Sequence, residues 1–296
     1  MSDLSPSAQT ARATLPAINA SLAELTWLNV ADIFTAFGLS RVGWLRGPLE
    51  LICRLPARRF ATELVGLDTL VGAQGLRAGG AWMVATLCGS LERRGPPLPS
   101  AGPLLIVANH PGLMDAAALF GAIPRADLRV LAADRPFLRA LPHIAAALIP
   151  VGNGAATHTS ALRTAVRHLR DGGALLSFPA GKIEPDPLAL PGAEAALAGW
   201  SDSAELFARL VDGLTIVPAI VGGVLSTRAL SHPLLRLRRT PSERQWLAAI
   251  IQLMQPQRFP VRVRVQFGLP IIAQGGSLNG VARAAAAQLI KEITQP

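Results

Sequence analysis

Residues 104–115 of the chain read LLIVANHPGLMD. The first five letters are a continuous apolar run, which is typical of a strand buried on both faces. Pro111 and Gly112 then force a turn, and Asp115 opens an Ala-rich segment, Ala116–Ile123, that is predicted to be helical. The stretch therefore predicts a buried strand that passes through a polar turn into a helix.

The same alternation continues toward the C-terminus. Further strands are predicted at Leu128–Ala132, Ala174–Phe178, Leu214–Val221 and Val261–Phe267, and further helices at Ala161–Leu169 and Val281–Ile290. Strands that alternate with helices indicate an α/β fold with a mixed, largely parallel sheet flanked by helices. Ligands bind such open sheets at the carboxyl ends of the strands, so the turn after Ala108 is a candidate site.

The region 1–95 differs from the rest of the chain. Apolar residues recur at helical spacing over 21–60, and 64–91 form a second apolar helical stretch. A Gly/Pro-rich break from Gly95 onward places the domain boundary there. We expect an N-terminal helical region followed by an α/β domain over 96–296.

Five arginines alternate with large apolar side chains between residues 41 and 60, a mixture that suits a membrane interface. The alternative is a helical hairpin that packs on its own catalytic domain, and both can hold at once. The start of the chain lacks the basic and apolar regions of a secretory signal. We therefore expect the cytoplasmic face of the inner or plasma membrane, with peripheral or monotopic attachment.

Composition narrows the function classes. Half of the residues are apolar and 16% are charged, which excludes a disordered tail or a charged coiled coil. Cys53 and Cys88 are the only cysteines and neither lies in C-x-x-C, so a disulfide-rich scaffold or zinc ribbon is excluded. The histidines show no metal-ligand spacing, and no metal site is predicted.

The net charge is +9, and nearly all of the basic residues are arginine. The excess lies toward the C-terminus, in the cluster Arg236, Arg238, Arg239 and Arg244. Guanidinium groups bind phosphates of lipid or nucleic acid, but no aromatic-plus-basic RNA signature is present. An anionic membrane surface is therefore favoured over nucleic acid. An Arg-rich proteome explains the overall bias equally well, and the local cluster less well.

His110 and Asp115 lie on opposite sides of the predicted turn, so the carboxylate can fold back to the imidazole. A histidine whose second ring nitrogen is held by a carboxylate is a general base with a fixed tautomer. No Ser or Cys nucleophile is nearby and no G-x-S-x-G occurs, so the simplest chemistry deprotonates a hydroxyl of the substrate. The alternative is that Asp115 only caps the helix and His110 is a turn residue.

Several motifs follow one another at predicted strand ends. They are Asn109–Asp115 (NHPGLMD), Asp134–Phe137 (DRPF), Leu148–Gly152 (LIPVG), Phe178–Lys182 (FPAGK) and Val217–Pro218. In this order the chain resembles the glycerophospholipid acyltransferase family (the 1-acylglycerol-3-phosphate acyltransferase type), which carries N-H-x4-D, F-P-E-G-T-R and V-P motifs. The resemblance spans Leu104–Val221.

The resemblance implies an O-acyltransferase that moves a fatty acyl group from acyl-CoA or acyl-ACP to the hydroxyl of a lysophospholipid or glycerol-phosphate-type acceptor. His110 would take the hydroxyl proton, and Asp115 would orient the imidazole. The substrate-binding residues it implies are Asn109, Arg135, Phe178, Pro179, Gly181, Lys182 and Pro218. It implies no metal and no bound cofactor, and its partners are the acyl donor, the lipid acceptor and the membrane.

The chain also departs from the family. Ala180 stands where the family has Glu, Ile183 stands where it has Arg, and an expected Arg near Asn153 is missing. Lys182 and Glu184 are the candidates to replace the lost charges. Because the residues that would bind the phosphate differ from those of the family, the sequence leaves the identity of the acceptor open. The alternatives are a non-phosphate acceptor such as an amino-acid lipid, or an inactive lipid-binding relative; the missing G-x-S-x-G disfavours a thioesterase.

Overall fold

A computed structural model describes residues 6–39, 46–273 and 280–295. Two long helices, α1 (Pro6–Phe37) and α2 (Arg46–Leu87), lead into the sheet and pack against each other. Leu25 on α1 and Ala61 on α2 have no exposed surface. Both helices therefore contribute to the core, and the predicted helical N-terminal region is confirmed. In the part of the chain that the structure describes, no helix combines the length and apolar character that crossing a bilayer requires.

The strands form one mixed sheet. Their bounds are β1 (Gly89–Arg94), β2 (Leu104–Ala108), β3 (Leu128–Ala133), β4 (Leu148–Val151), β5 (Ala174–Ser177), β6 (Thr215–Gly222), β7 (Val261–Phe267) and β8 (Ile271–Ile272). Their order is β1-β7-β6-β2-β5-β3-β4, with β8 paired to β6. The pairs among β6, β2, β5, β3 and β4 are parallel, whereas β7 and β8 run antiparallel to β6. The predicted fold class is confirmed.

Helices cover both faces of this sheet. They are α3 (Leu113–Ala122), α4 (Pro136–Arg139), α5 (Pro142–Ala146), α6 (Ala155–Arg170), α7 (Ala193–Ala196), α8 (Ser203–Leu210), α9 (Thr227–Leu230), α10 (Pro241–Met254) and α11 (Val281–Thr294). Strand β2 shows why its sequence is apolar throughout. Leu104 and Ile106 pack into the core beneath α2 and α3, while Leu105 and Val107 pack toward α6 and α11. Successive side chains point to opposite faces, so both must be apolar.

The predicted bounds of β2 and β7 agree with the structure, but β1 was missed. Its residues fall at the end of the stretch predicted as helix, which stops at Leu87. Gly89 takes φ +130° and starts a polar strand whose hydrogen bonds come from β7. An edge strand with charged side chains lacks the apolar pattern by which a buried strand is recognised in a sequence. Because β1 joins the sheet, both sides of the expected boundary at residue 95 contribute to it, and the division into domains stays a prediction.

Helices α2 and α3 approach each other backbone to backbone. A Cβ atom at Gly80 on α2 would collide with the main chain of α3 at Ala117 and Gly121. A Cβ atom at Gly121 would in turn come 2.9 Å from the backbone nitrogen of Ala81. Glycine at both positions therefore lets the two helices cross without side chains between them.

A kink divides α2 at Gly75, where φ is +83° and ψ is 171°. This region of backbone conformation is open to glycine and costs about 1–3 kcal/mol for other residues. A Cβ at Gly75 would meet nothing within 4 Å, so the cost is one of backbone conformation and not of packing.

We therefore expect Gly75→Ala to lower the free energy of unfolding by about 1–3 kcal/mol, measured by chemical denaturation. Gly47→Ala is the matched control, because Gly47 also lies in α2, also has open space around it and has no positive φ. The control should be neutral or stabilising by up to ~1 kcal/mol, since alanine favours helix. Equal effects of the two changes would contradict the strain at Gly75.

Candidate active site

The turn after β2 starts at Asn109, whose side-chain amide forms hydrogen bonds with the main chain of the neighbouring strand β6. The Asn109 amide donates to the Val221 carbonyl at 2.9 Å and accepts from the Val221 N–H at 2.7 Å. Asn109 is buried, and it continues the pairing of β2 with β6 beyond Ala108. This amide fixes where the chain leaves the sheet, and its expected contact with substrate stays a prediction.

His110 and Asp115 form a hydrogen-bonded pair across the turn. The His110 Nδ1 atom lies 2.7 Å from the Asp115 Oδ2 atom. An ionised carboxylate only accepts, so Nδ1 carries the hydrogen and Nε2 is the unprotonated nitrogen of the neutral ring. The Asp115 side chain is fully buried, whereas 31% of the His110 side chain is exposed. The carboxylate is therefore hidden behind the ring, and the ring faces outward.

Asp115 also caps α3. Its Oδ2 accepts from the Gly112 N–H at 3.0 Å, and its Oδ1 accepts from the Ala116 N–H at 2.6 Å. The same carboxylate thus contacts both the imidazole and the start of the helix, and the catalytic role of the pair stays a prediction. The carboxylate that orients the imidazole is itself positioned by the first turn of the helix, where main-chain N–H groups favour negative charge.

A second buried carboxylate holds the main chain of His110. Glu184 Oε2 accepts from the His110 N–H at 2.9 Å, and the Glu184 N–H donates to the His110 carbonyl at 2.8 Å. Glu184 Oε1 accepts from the Trp200 indole N–H at 2.8 Å. Both oxygens of Glu184 are therefore occupied, and the loop after β5 is tied to the turn after β2.

The charges around the imidazole shift its protonation. Burial lowers the pKa of His110, but the Asp115 carboxylate and, to a smaller extent, Glu184 raise it, and the net pKa lies above its ordinary value. Burial also raises the pKa of Glu184, against the hydrogen bonds from Trp200 and His110 that lower it. The site therefore holds a histidine with increased basicity.

One residue of the F-P-A-G-K motif, Phe178, lies beside the pair. The Phe178 ring centroid is 4.8 Å from that of His110, with the planes tilted by 37°. Pro179 is buried and its carbonyl accepts from the Ser201 N–H, whereas Gly181, at φ +60°, and Lys182 are exposed. Phe178 thus contacts the imidazole directly, while Lys182 is exposed and its contact with substrate stays a prediction.

Arg135 lies farther along the same edge of the sheet. Strand β3 is separated from β2 by β5, and neighbouring strands lie roughly 5 Å apart. Arg135 lines a cavity of about 260 Å³ with Asp134 and Arg139. Asp134 and Arg139 form a two-pronged ion pair at 2.7 and 3.1 Å. Two arginines and one acid therefore lie just after β3, at the same edge of the sheet as His110 and two strands away from it.

Pro218 does not reach this edge. It is buried in the middle of β6, opposite Val107, and its carbonyl accepts from the Gly268 N–H. The V-P motif thus lies within the sheet and not at a strand end, so a contact between Pro218 and substrate is not supported by its position.

Two residues of the site carry no recognisable signal in the sequence. Trp200 donates to Glu184, and the Gln245 amide on α10 donates to the carbonyls of Glu184 at 3.0 Å and Pro111 at 3.3 Å. Trp200 lies within Leu104–Val221 but belongs to none of its motifs, and Gln245 lies beyond that stretch. No local sequence pattern marks either residue. Among the described residues no group of three or more His, Cys, Asp or Glu side chains is arranged to hold a metal ion.

We expect Asp115→Asn to lower the pKa of His110, because burial persists while the stabilising charge is lost. NMR titration of the imidazole resonances measures this, with the His110 signal identified by its loss in His110→Ala. The exposed His158 is the internal control. A pKa of His110 that stays where it was would contradict the electrostatic role of Asp115.

The same shift predicts how stability depends on pH. A raised folded-state pKa adds stability below the unfolded value, near 6.5, and this is lost as the pH rises through the folded-state pKa. The stability difference between wild type and Asp115→Asn should therefore be larger at acidic than at alkaline pH.

Glu184→Gln should lower the free energy of unfolding by about 1–3 kcal/mol, since one N–H donor would face the new NH₂ group instead of an oxygen. Thermal and chemical unfolding check this. Glu194→Gln is the matched control: its side chain is half exposed and pairs only with Lys291 among the described residues, so a change within about 0.5 kcal/mol is expected. Equal losses in both variants would refute the role of Glu184 as a tie.

Comparisons with known proteins bear on the fold. No family model and no curated protein matches the chain. Among solved structures, the chain is similar to the crystal structure of the 1-acyl-sn-glycerophosphate (LPA) acyltransferase PlsC from Thermotoga maritima. The TM-score is 0.50 at 16% sequence identity, and the match covers 94% of this chain and 95% of that one. The chain therefore has the fold of a PlsC acyltransferase, which is the fold that the resemblance of its motifs implied.

Proposed function

We propose that the protein is an acyltransferase, which moves a fatty acyl group from the thioester of acyl-CoA or acyl-ACP to the hydroxyl of a lipid acceptor. The observation that carries the proposal is the His110–Asp115 pair at the carboxyl end of a central strand, with the ring exposed and the carboxylate buried. The shared fold with PlsC supports it.

The geometry supports the following chemistry. Nδ1 of His110 is bound to Asp115, so Nε2 takes the proton of the acceptor hydroxyl. The hydroxyl oxygen attacks the thioester carbonyl and forms the new ester bond. The carbon–sulfur bond breaks, and the leaving thiolate receives the proton from the imidazolium. Asp115 stabilises that imidazolium and keeps the ring in one tautomer.

The surroundings favour a histidine base over a protein nucleophile. The Phe178 ring lies against His110, and Glu184 fixes its main chain, so the imidazole is held in one orientation. Both cysteines are buried, and burial raises the pKa of the Cys88 thiol to about 12. A thiol in that state does not act as a nucleophile at neutral pH.

The acceptor that we propose is a lysophospholipid or glycerol-phosphate-type lipid. One observation favours a second candidate, a lipid with a non-phosphate headgroup such as an amino acid. The cavity beside Arg135 contains an acid, Asp134, which neutralises Arg139. The Asp32 carboxylate also interacts with Arg135, so both arginines have an acid nearby, and the cavity suits a single negative charge better than a doubly charged phosphate monoester.

We also propose that the N-terminal helices contact an anionic membrane. Trp27 on α1 is 67% exposed, and on α2 Leu51 and Ile52 are 72% and 70% exposed. Exposed arginines, Arg54, Arg58 and Arg59, lie in the same part of α2. The opposite sides of both helices are buried against the protein, so packing on the domain and contact with lipid occur together.

His110→Ala should abolish acyl transfer and leave folding intact, because it removes the base without touching Asn109 or Glu184. The assay is mass spectrometry of purified protein with acyl-CoA or acyl-ACP and a panel of lyso-acceptors. The matched control is His143→Ala: His143 also pairs with an aspartate, Asp68, at 2.9 Å, but on α5 and α2.

The control should keep its activity. Turnover that survives His110→Ala would refute the proposed base. Thioester hydrolysis without transfer would identify a thioesterase, and binding of lipid without any turnover would identify an inactive relative.

A further inference from the structure

A short 3₁₀ segment, Pro233–Leu237, presents apolar side chains to the outside. Leu234 and Leu237 are 40% and 60% exposed, whereas Leu235 is 6% exposed. Residues three apart in a 3₁₀ helix lie above one another, so Leu234 and Leu237 form one outward ridge while Leu235 points inward.

The segment is fixed to the N-terminal helices. Leu235 belongs to the same apolar cluster as Ile33 on α1 and Cys53 on α2. Arg238, directly after the segment, lies against Gly38 at the end of α1 and pairs with Glu243 at 2.6 Å. The two exposed leucines are thus held by the same helices that carry the exposed apolar residues proposed above to contact lipid.

The segment also lies on the His110 side of the molecule. It leads into α10, and Gln245 in the second turn of that helix donates to the carbonyls of Pro111 and Glu184. Pro111 follows His110 directly. The ridge is therefore joined to the turn of the His110–Asp115 pair through the first two turns of one helix.

The arginines of this region divide into two kinds. Arg238 is mostly buried and paired with Glu243, and the Arg244 Nε donates to the Arg238 carbonyl. The side chains of Arg236 and Arg239 are exposed and have no ion-pair partner among the described residues. Two exposed leucines with two exposed guanidinium groups beside them match a surface that offers both apolar chains and negative charge.

We propose that Leu234, Arg236, Leu237 and Arg239 form a second membrane-contact element, which inserts two leucines into an anionic bilayer beside the active site. The proposal rests on the proposed function, because it places the bilayer that would hold the lipid acceptor on the His110 side of the molecule. It assigns to this segment a contact that is separate from that of α1 and α2.

Co-sedimentation of the full-length protein with phosphatidylcholine vesicles, with and without phosphatidylglycerol, tests the proposal in the absence of substrates. Leu234→Ser/Leu237→Ser should weaken binding about tenfold, since part of the apolar surface no longer leaves water. Arg236→Gln/Arg239→Gln should weaken binding about fivefold per arginine, and only when phosphatidylglycerol is present. Circular dichroism melting shows that each variant is folded.

Leu269→Ser/Ile272→Ser is the matched control. These residues are 76% and 60% exposed, but they follow β7, which runs antiparallel to β6, and so lie at the opposite end of the sheet. The control should bind vesicles as the wild type does. Leu51→Ser/Ile52→Ser/Leu55→Ser should weaken binding separately, and the two sets of changes should add if the contacts are independent.

Wild-type vesicle binding by Leu234→Ser/Leu237→Ser would overturn the proposal, as would a loss of equal size in the Leu269 control. A change of molecular mass in solution with unchanged vesicle binding would assign the ridge to self-association instead. His110→Ala should bind vesicles normally, so a failure of acyl transfer and a failure of this contact are read from different measurements.

Discussion

The buried carboxylate of Glu184 is the interaction on which the candidate site depends. It accepts hydrogen bonds from the His110 main chain and the Trp200 indole, and its own N–H returns one to the His110 carbonyl. A buried acid with both oxygens occupied is far less mobile than one in solvent. The strand ends of β2 and β5 therefore behave as one body, and the imidazole inherits its orientation from them.

This tie gives a physical meaning to a departure in the sequence. The motif of the acyltransferase family that the sequence resembles carries Glu where this chain has Ala180, and Glu184 follows four residues later. Ala180 is half-buried against the apolar cluster between the sheet and helices α6 and α11. A carboxylate at this position would have to lose its hydration. The acid of this chain reaches the His110 loop from a different position in the loop after β5. The change in the motif therefore does not leave the loop without an acid to hold it.

Much of the fold was readable because the central strands are buried on both faces. A continuous apolar run such as Leu104–Ala108 has few other interpretations, and its bounds were predicted correctly. The strands that were not predicted are β1, β4 and β8: β1 is a charged edge strand, β4 contains Pro150, and β8 has only two residues. The His110–Asp115 contact was predictable because five residues across one turn fix the geometry. Trp200 and Gln245 were not, because only tertiary packing brings them to Glu184.

The crossing of α2 and α3 has an evolutionary consequence. Gly80 and Gly121 let α3, whose first turn contains Asp115, pack directly against α2. The N-terminal half of α2 carries the exposed apolar side chains. No side chain lies between the two backbones to absorb a change in their spacing. Any descendant that keeps this architecture must keep a bare hydrogen at both positions, although neither glycine belongs to the reaction. The strongest constraints on substitution in this protein can thus fall on glycines, which have no functional side chain.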